Sequence, residues 1–172
     1  MLTSSTLHSP GALALVACYE LGHQPLSLAS PLATLRGAGF TPLAVDTSVE
    51  TLDDATLRAA RLVAISAPMH TALRLGVQVA ERARTVNPGV CIVFYGLYAS
   101  LNADYLLRAL ADAVIGGEYE QALLGLAEAL DAGATVETLA VPGVRTRQAA
   151  AAPVLRRLPF SAPARDSLPE LR

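Results

Sequence analysis

At 172 residues, the chain has room for one domain and a tail. Its 52% hydrophobic content suits a sheet covered on both faces by helices, large enough to hold a core without disulfide or metal staples. A formal net charge of -2 excludes the basic footprint of a nucleic-acid binder, and no run of arginines points to an anionic membrane surface.

Residues 1–11 read as a disordered start. Ala12–Cys18 is a continuous apolar run, as in strands of a parallel sheet buried on both faces. It lacks the basic n-region and the length of a signal-peptide core, so it reads as a first strand. No segment reaches the roughly 18 unbroken apolar residues of a membrane span. After the loop 19–25, Leu28, Leu32 and Leu35 recur at helical spacing and predict a helix over 26–38, closed by Gly37 and Gly39. Thr41–Val45 is the second strand, and Asp53–Ala60 a short helix capped by Thr51 or Asp53.

The third strand, Leu62–Ser66, leads to a helix over 71–86 that stops at Asn87-Pro88-Gly89. The fourth is Val90–Tyr95, followed by a helix over 103–110. The fifth is Ala113–Ile115, followed by an amphipathic helix over 118–130. This alternation predicts a doubly wound, Rossmann- or flavodoxin-like parallel sheet of five strands in the order 2-1-3-4-5. The only two cysteines, Cys18 and Cys91, fall inside predicted strands and read as core hydrophobes in a reducing cytoplasm. Beyond Gly133 the pattern fails. Thr135–Val141 is a candidate extra strand, and Pro142, Pro153, Pro159, Pro163 and Pro169 punctuate an Ala- and Arg-rich stretch. The expected division is therefore a domain over 1–133 and an extended tail or linker over 134–172, leading toward a further domain.

Each apolar run stops at a small or polar residue, and in a parallel sheet those stops line up on the edge where such folds bind ligands. Gly116-Gly117-Glu118 offers backbone access and free N–H groups, although Glu118 also complements a helix dipole without any ligand. Ser66 can hydrogen-bond a ligand or simply cap the next turn. Ala67, Pro68, Met69 and His70 follow it; His70 is a candidate ligand, proton carrier or helix-start residue. Gly96 closes the fourth strand, with Leu97 and Tyr98 in the loop, where Tyr98 can stack on a flat ligand or cover the core edge. The first loop adds Tyr19, Glu20, Gly22 and His23. Glu20 and His23 can pair as acid and base, but no nucleophile completes them. There is no G-x-G-x-x-G, Walker lysine loop or G-x-S-x-G elbow, so no catalytic residue and no metal set is assigned.

Taken together, Ser66-Ala67-Pro68-Met69-His70-Thr71, Gly96 and Gly116-Gly117-Glu118-Tyr119-Glu120 resemble the cobalamin-binding domain of cobalamin-dependent radical S-adenosylmethionine enzymes. There the corresponding stops read like S-x-M-T and R-G-E-G-E. The stretch 25–40, Pro25-Leu26-Ser27-Leu28 through Arg36-Gly37-Ala38-Gly39-Phe40, resembles that family's first helix, and Arg165-Asp166-Ser167-Leu168-Pro169 its approach to the radical domain. The resemblance covers about residues 12–130. It implies cobalamin as cofactor, with the corrin over Tyr19, Glu20, Gly22, Ser66, Ala67, Pro68, Met69, His70, Gly96, Leu97, Tyr98, Gly116, Gly117 and Glu118. It also implies that the cofactor's nucleotide arm enters between Ser66 and the Gly116-Gly117 turn, and that Met69 or His70 governs the lower axial face.

Two motifs are missing. Without D-x-H-x-x-G no histidine is offered to cobalt in the mutase manner, and without C-x-x-x-C-x-x-C this chain holds no iron–sulfur cluster. The resemblance therefore implies a module that works with a radical S-adenosylmethionine domain, in cis or in trans, for methyl transfer or radical chemistry. The chain is then either an excised N-terminal domain or a stand-alone relative, not an independent enzyme. The alternatives are a degenerate domain of the same fold that docks a partner without cofactor, and a flavin- or nucleotide-binding domain. A mean hydropathy of +0.41 adds an expected apolar patch and with it a homodimer.

Overall fold

Five apolar runs become parallel strands: β1 (Leu13–Ala17), β2 (Leu43–Asp46), β3 (Leu62–Ser66), β4 (Cys91–Tyr95) and β5 (Ala113–Ile115). The computed structural model describes residues 6–20, 22–155 and 161–170. The strand order is β2-β1-β3-β4-β5, as the sequence predicts, but the sheet has six strands. The sixth, β6 (Val144–Arg145), lies antiparallel on β5, with Ile115 opposite Val144. It comes from the stretch expected to be extended tail. Two residues between Gly143 and Thr146 carry no periodicity to read. The candidate strand 135–141 is instead a 3-10 turn, Val136–Thr138, closed by Thr135 and Thr138 bonding each other's backbone N–H.

The sheet is buried on both sides because its central strands carry apolar side chains facing both ways. Leu13, Leu15 and Ala17 face α1 (Leu26–Gly37) and α6 (Glu120–Asp131). Ala14, Val16 and Cys18 face α2 (Asp54–Ala59), α3 (His70–Val86), α4 (Leu97–Leu101) and α5 (Ala103–Ala109). Each fully buried Leu, Ile or Val adds about 1.5–3 kcal/mol to this double core. Asp53 caps α2 by accepting from the Thr56 N–H at 2.8 Å. The helix α4 was expected as loop; it is a five-residue turn that follows Gly96 directly. α6 begins at Glu120, so Glu118 lies just outside it.

Both terminal segments are fastened. Leu7 is buried and its N–H donates to Asp131 Oδ1 at 2.5 Å, while His8 stacks on Phe40 with centroids 4.1 Å apart. Residues 6–11 are thus part of the fold rather than a disordered start, whereas residues 1–5 and Pro159 lie outside the described residues. At the other end, Ala164 donates its N–H to Ala29 O at 2.9 Å, Leu168 is buried beside α1, and Arg36 pairs with Asp166 at 2.9 Å. The tail therefore runs back along the first helix.

Candidate functional site

The register sets the rim. Ser66 is opposite Tyr95, and Tyr95 is opposite Ile115, so β3, β4 and β5 stop at one level and release their loops on one edge. Gly96 joins two of those loops. Its φ of 102° is one that L side chains rarely adopt, and a Cβ there would lie 3.2 Å from Ala67 O. With that Cβ missing, Ala67 N–H donates to Tyr95 O at 2.8 Å and Tyr98 N–H to Ala67 O at 3.0 Å. The Pro68-Met69-His70 loop is thereby tied to Leu97-Tyr98. His70 starts α3, exposed to solvent, and meets the Tyr98 ring edge-on at 6.5 Å.

The predicted residues divide by exposure. Gly22, His70 and Leu97 are exposed, the last at 61%. Tyr19, Glu20, Pro68, Met69, Gly96, Tyr98, Gly117 and Glu118 are partly exposed. Ser66, Ala67 and Gly116 are buried. The expected Glu20–His23 acid–base pair does not form through the carboxylate, which accepts from Ser27 Oγ at 2.5 Å. Burial raises the Glu20 carboxyl above its usual range, against the Ser27 bond that lowers it.

Between α1 and α6, just below the rim, the space is filled. Pro31 lies inside α1 and has no N–H for the carbonyl four residues back, that of Ser27. The Tyr95 hydroxyl supplies that bond at 2.8 Å. Its ring is fully buried and tilts against Tyr119 at 4.8 Å. Burial raises both phenols, and Glu120, Glu20 and Glu118 push Tyr119 the same way. Ser30 Oγ closes the group by donating to Glu120 Oε1 at 2.6 Å. The sequence signal for this cluster was a proline in the middle of a helical repeat.

The Gly116-Gly117 turn is also occupied. Val154 pairs with Gly117 as a parallel bridge; Glu118 N–H donates to Val154 O at 2.7 Å, and Val154 N–H to Gly116 O at 3.3 Å. A Cβ on Gly117, where φ is 72°, would overlap the Val154 carbonyl, and one on Gly116 would lie 2.6 Å from Ser100 Oγ on α4 and 3.2 Å from Pro153 Cγ. The room expected from the missing side chains is therefore taken by Ser100 at Gly116 and by the 153–154 segment at Gly117, which no local pattern in the sequence announces.

As a seat for cobalamin, the rim fits in one part and not in another. A corrin is a broad ring with an apolar face and an amide fringe. Tyr19, Pro68, Met69, His70, Leu97 and Tyr98 offer partly exposed apolar surface with polar atoms at its border. The slot beneath it is closed by Tyr95, Tyr119, Pro153 and Val154. A cavity of about 480 Å³ opens to one side, by the ends of β1 and β2, with Cys18, Tyr19, Thr47, Ser48, Gln78 and Arg82 in its wall. Burial pushes the Cys91 thiol up to about 12 and raises Cys18, so both are protonated at neutral pH. Among the described residues, no three His, Cys, Asp or Glu side chains gather as metal ligands, and no helix is long and apolar enough to cross a membrane.

Comparison with known proteins agrees with this architecture. The family model for the B12 binding domain matches residues 12–127. No curated protein matches the chain. Among solved structures, the radical S-adenosylmethionine methyltransferase TsrM from Kitasatospora setae, with tryptophan substrate and an S-adenosylmethionine analogue bound, superposes with a TM-score of 0.61 at 18% identity. The match covers 77% of this chain and 28% of the methyltransferase, so it speaks for the fold.

Proposed function

Because the chain belongs to the B12-binding domain family, we propose that it is a cobalamin-carrying module that presents the corrin at the C-terminal edge of its sheet. The observation that carries this reading beyond the family is the pinned, partly exposed surface of Pro68-Met69-His70 and Leu97-Tyr98, fixed by the Gly96 approach to Ala67. Met69 and His70 are the side chains for the corrin's lower face, with Tyr98 holding the His70 ring. Tyr19, Glu20 and Gly22 border the ring from the first loop, and Glu118 from the last. Bound cobalamin supplies methyl-transfer or radical chemistry. The protein's own part is to orient the ring, shield one face from water and leave the other open to a partner.

The partner in this reading is a radical S-adenosylmethionine domain, in cis or in trans, since no cluster motif is present here. The cytoplasm is the compartment that suits two free thiols, one buried and one partly buried, and the exposed Leu97 and Leu101 suit self-association of the isolated module. A second reading, a domain of this fold that docks a partner without cofactor, is supported by the filled slot at Tyr95 and Tyr119.

The test is a titration with hydroxocobalamin, followed by desalting and an absorbance spectrum. Retained corrin bands, with about tenfold weaker binding in Met69→Glu, fit the cobalamin reading. Clean loss of the corrin from well-folded protein leaves the docking reading.

A further inference from the structure

Cobalamin has two recognisable parts: the corrin ring, and a nucleotide arm made of a phosphodiester, a ribose and a flat base. A protein that takes in the arm needs a deep slot beside the ring and groups that tolerate an anion. In this fold that slot would descend from the rim between α1 and α6, past Ser66 and the Gly116-Gly117 turn.

Three independent features close it. The first is Tyr95, fully buried, with its hydroxyl committed to Ser27 O at 2.8 Å. That bond completes a helix whose own donor is lost at Pro31, so moving the ring would strand a carbonyl as well as empty a core position. The second is the segment Pro153-Val154, held by two backbone bonds against Gly116 and Glu118, with Val154 Cγ2 also 2.8 Å from where a Cβ of Gly143 would stand. The missing Cβ atoms of Gly117 and Gly143 serve the close approach of this segment. The third is charge. Glu20 and Glu120 each accept from a serine of α1, Ser27 and Ser30, and carboxylates along that helix oppose a phosphodiester.

We infer that this module recognises a corrinoid by its ring alone and leaves the nucleotide arm outside, the Gly116-Gly117 turn being the seat of its own Pro153-Val154 segment. The ligand class is thus corrinoids regardless of lower nucleotide, cobinamides included. The inference rests on the cobalamin reading and narrows it.

The experiment compares hydroxocobalamin with diaquacobinamide, which lacks the nucleotide, by absorbance titration of the full chain, together with amide hydrogen exchange at Glu118 and Val154. Cobalamin should bind no more than about threefold more tightly than cobinamide, because nothing in the site contacts the arm. The Glu118 amide, donated to Val154 O, should stay protected in both complexes. A larger preference for cobalamin, or faster exchange at Glu118 on its addition, overturns the inference, since either means that the arm displaces the segment. Failure of both corrinoids to bind folded protein instead overturns the cobalamin reading on which it rests.

Discussion

Tyr95 shows how one side chain can decide whether a site is open. Its hydroxyl replaces the helical donor missing at Pro31, so the two residues act as a unit. Tyr95→Phe should lower stability by about 1–3 kcal/mol by stranding the Ser27 carbonyl, read as a lower urea midpoint at unchanged slope. In a Pro31→Ala background the helix regains its own donor, so the same change should cost about 1 kcal/mol less. Additive costs in the two backgrounds would refute the pairing. Glu20 offers a pH signature. Its folded carboxyl is raised above the usual 4.5 by burial, so the folded state holds its proton longer than the unfolded chain. Stability should therefore fall as pH rises from 4.5 through the higher folded value, a slope that Glu20→Gln removes. Urea midpoints measured across that window would show it. At this scale the sequence marks which residues reach the rim but not their partners: nothing local in Glu20, Ser27 or Tyr95 indicates that they meet.

Strands and long helices were legible because their patterns are strong. The central strands β1, β3 and β4 read as apolar runs, and α3 declares itself by its length and by Asn87-Pro88-Gly89. Short elements were not. α4 has five residues, and β6 has two whose place depends on pairing with β5, a contact set by the whole sheet. Yet α4 matters to the site, since it turns Leu97 and Tyr98 toward the Pro68-Met69-His70 loop. Gly96 is the hinge of that arrangement. Gly96→Ala should cost about 1–3 kcal/mol through its positive-φ, extended-ψ backbone alone, a conformation essentially confined to glycine. The Cβ crowding Ala67 O should also shift the loop, so corrinoid affinity in the titration should fall along with stability. A variant that loses stability while keeping its affinity would show that this loop does not bear the ring.

For the whole molecule, the segment after residue 133 changes what the domain is. It supplies a strand, plugs the glycine turn and runs back over α1, ending with Leu168 in the core at 6% exposure. Leu168→Ala should destabilise by about 2 kcal/mol and speed exchange of the Ala164 amide, which bonds Ala29 O. Unchanged stability would mean that the tail rests on α1 without supporting it. The exposed Arg36–Asp166 pair adds about 0–1 kcal/mol, so the leucine is the fastener.

That fastening has a consequence for synthesis. The partners Arg36 and Asp166 are 130 residues apart, and at roughly 5–20 residues per second the ribosome needs about 7–26 seconds to cover that distance. During that interval the first helix has emerged while the residues that cover its flank have yet to be made. The nascent chain thus leaves the flank of the first helix at Ala29 and Arg36 uncovered for most of its translation, a window in which a chaperone or a neighbouring nascent chain can reach what the finished fold hides.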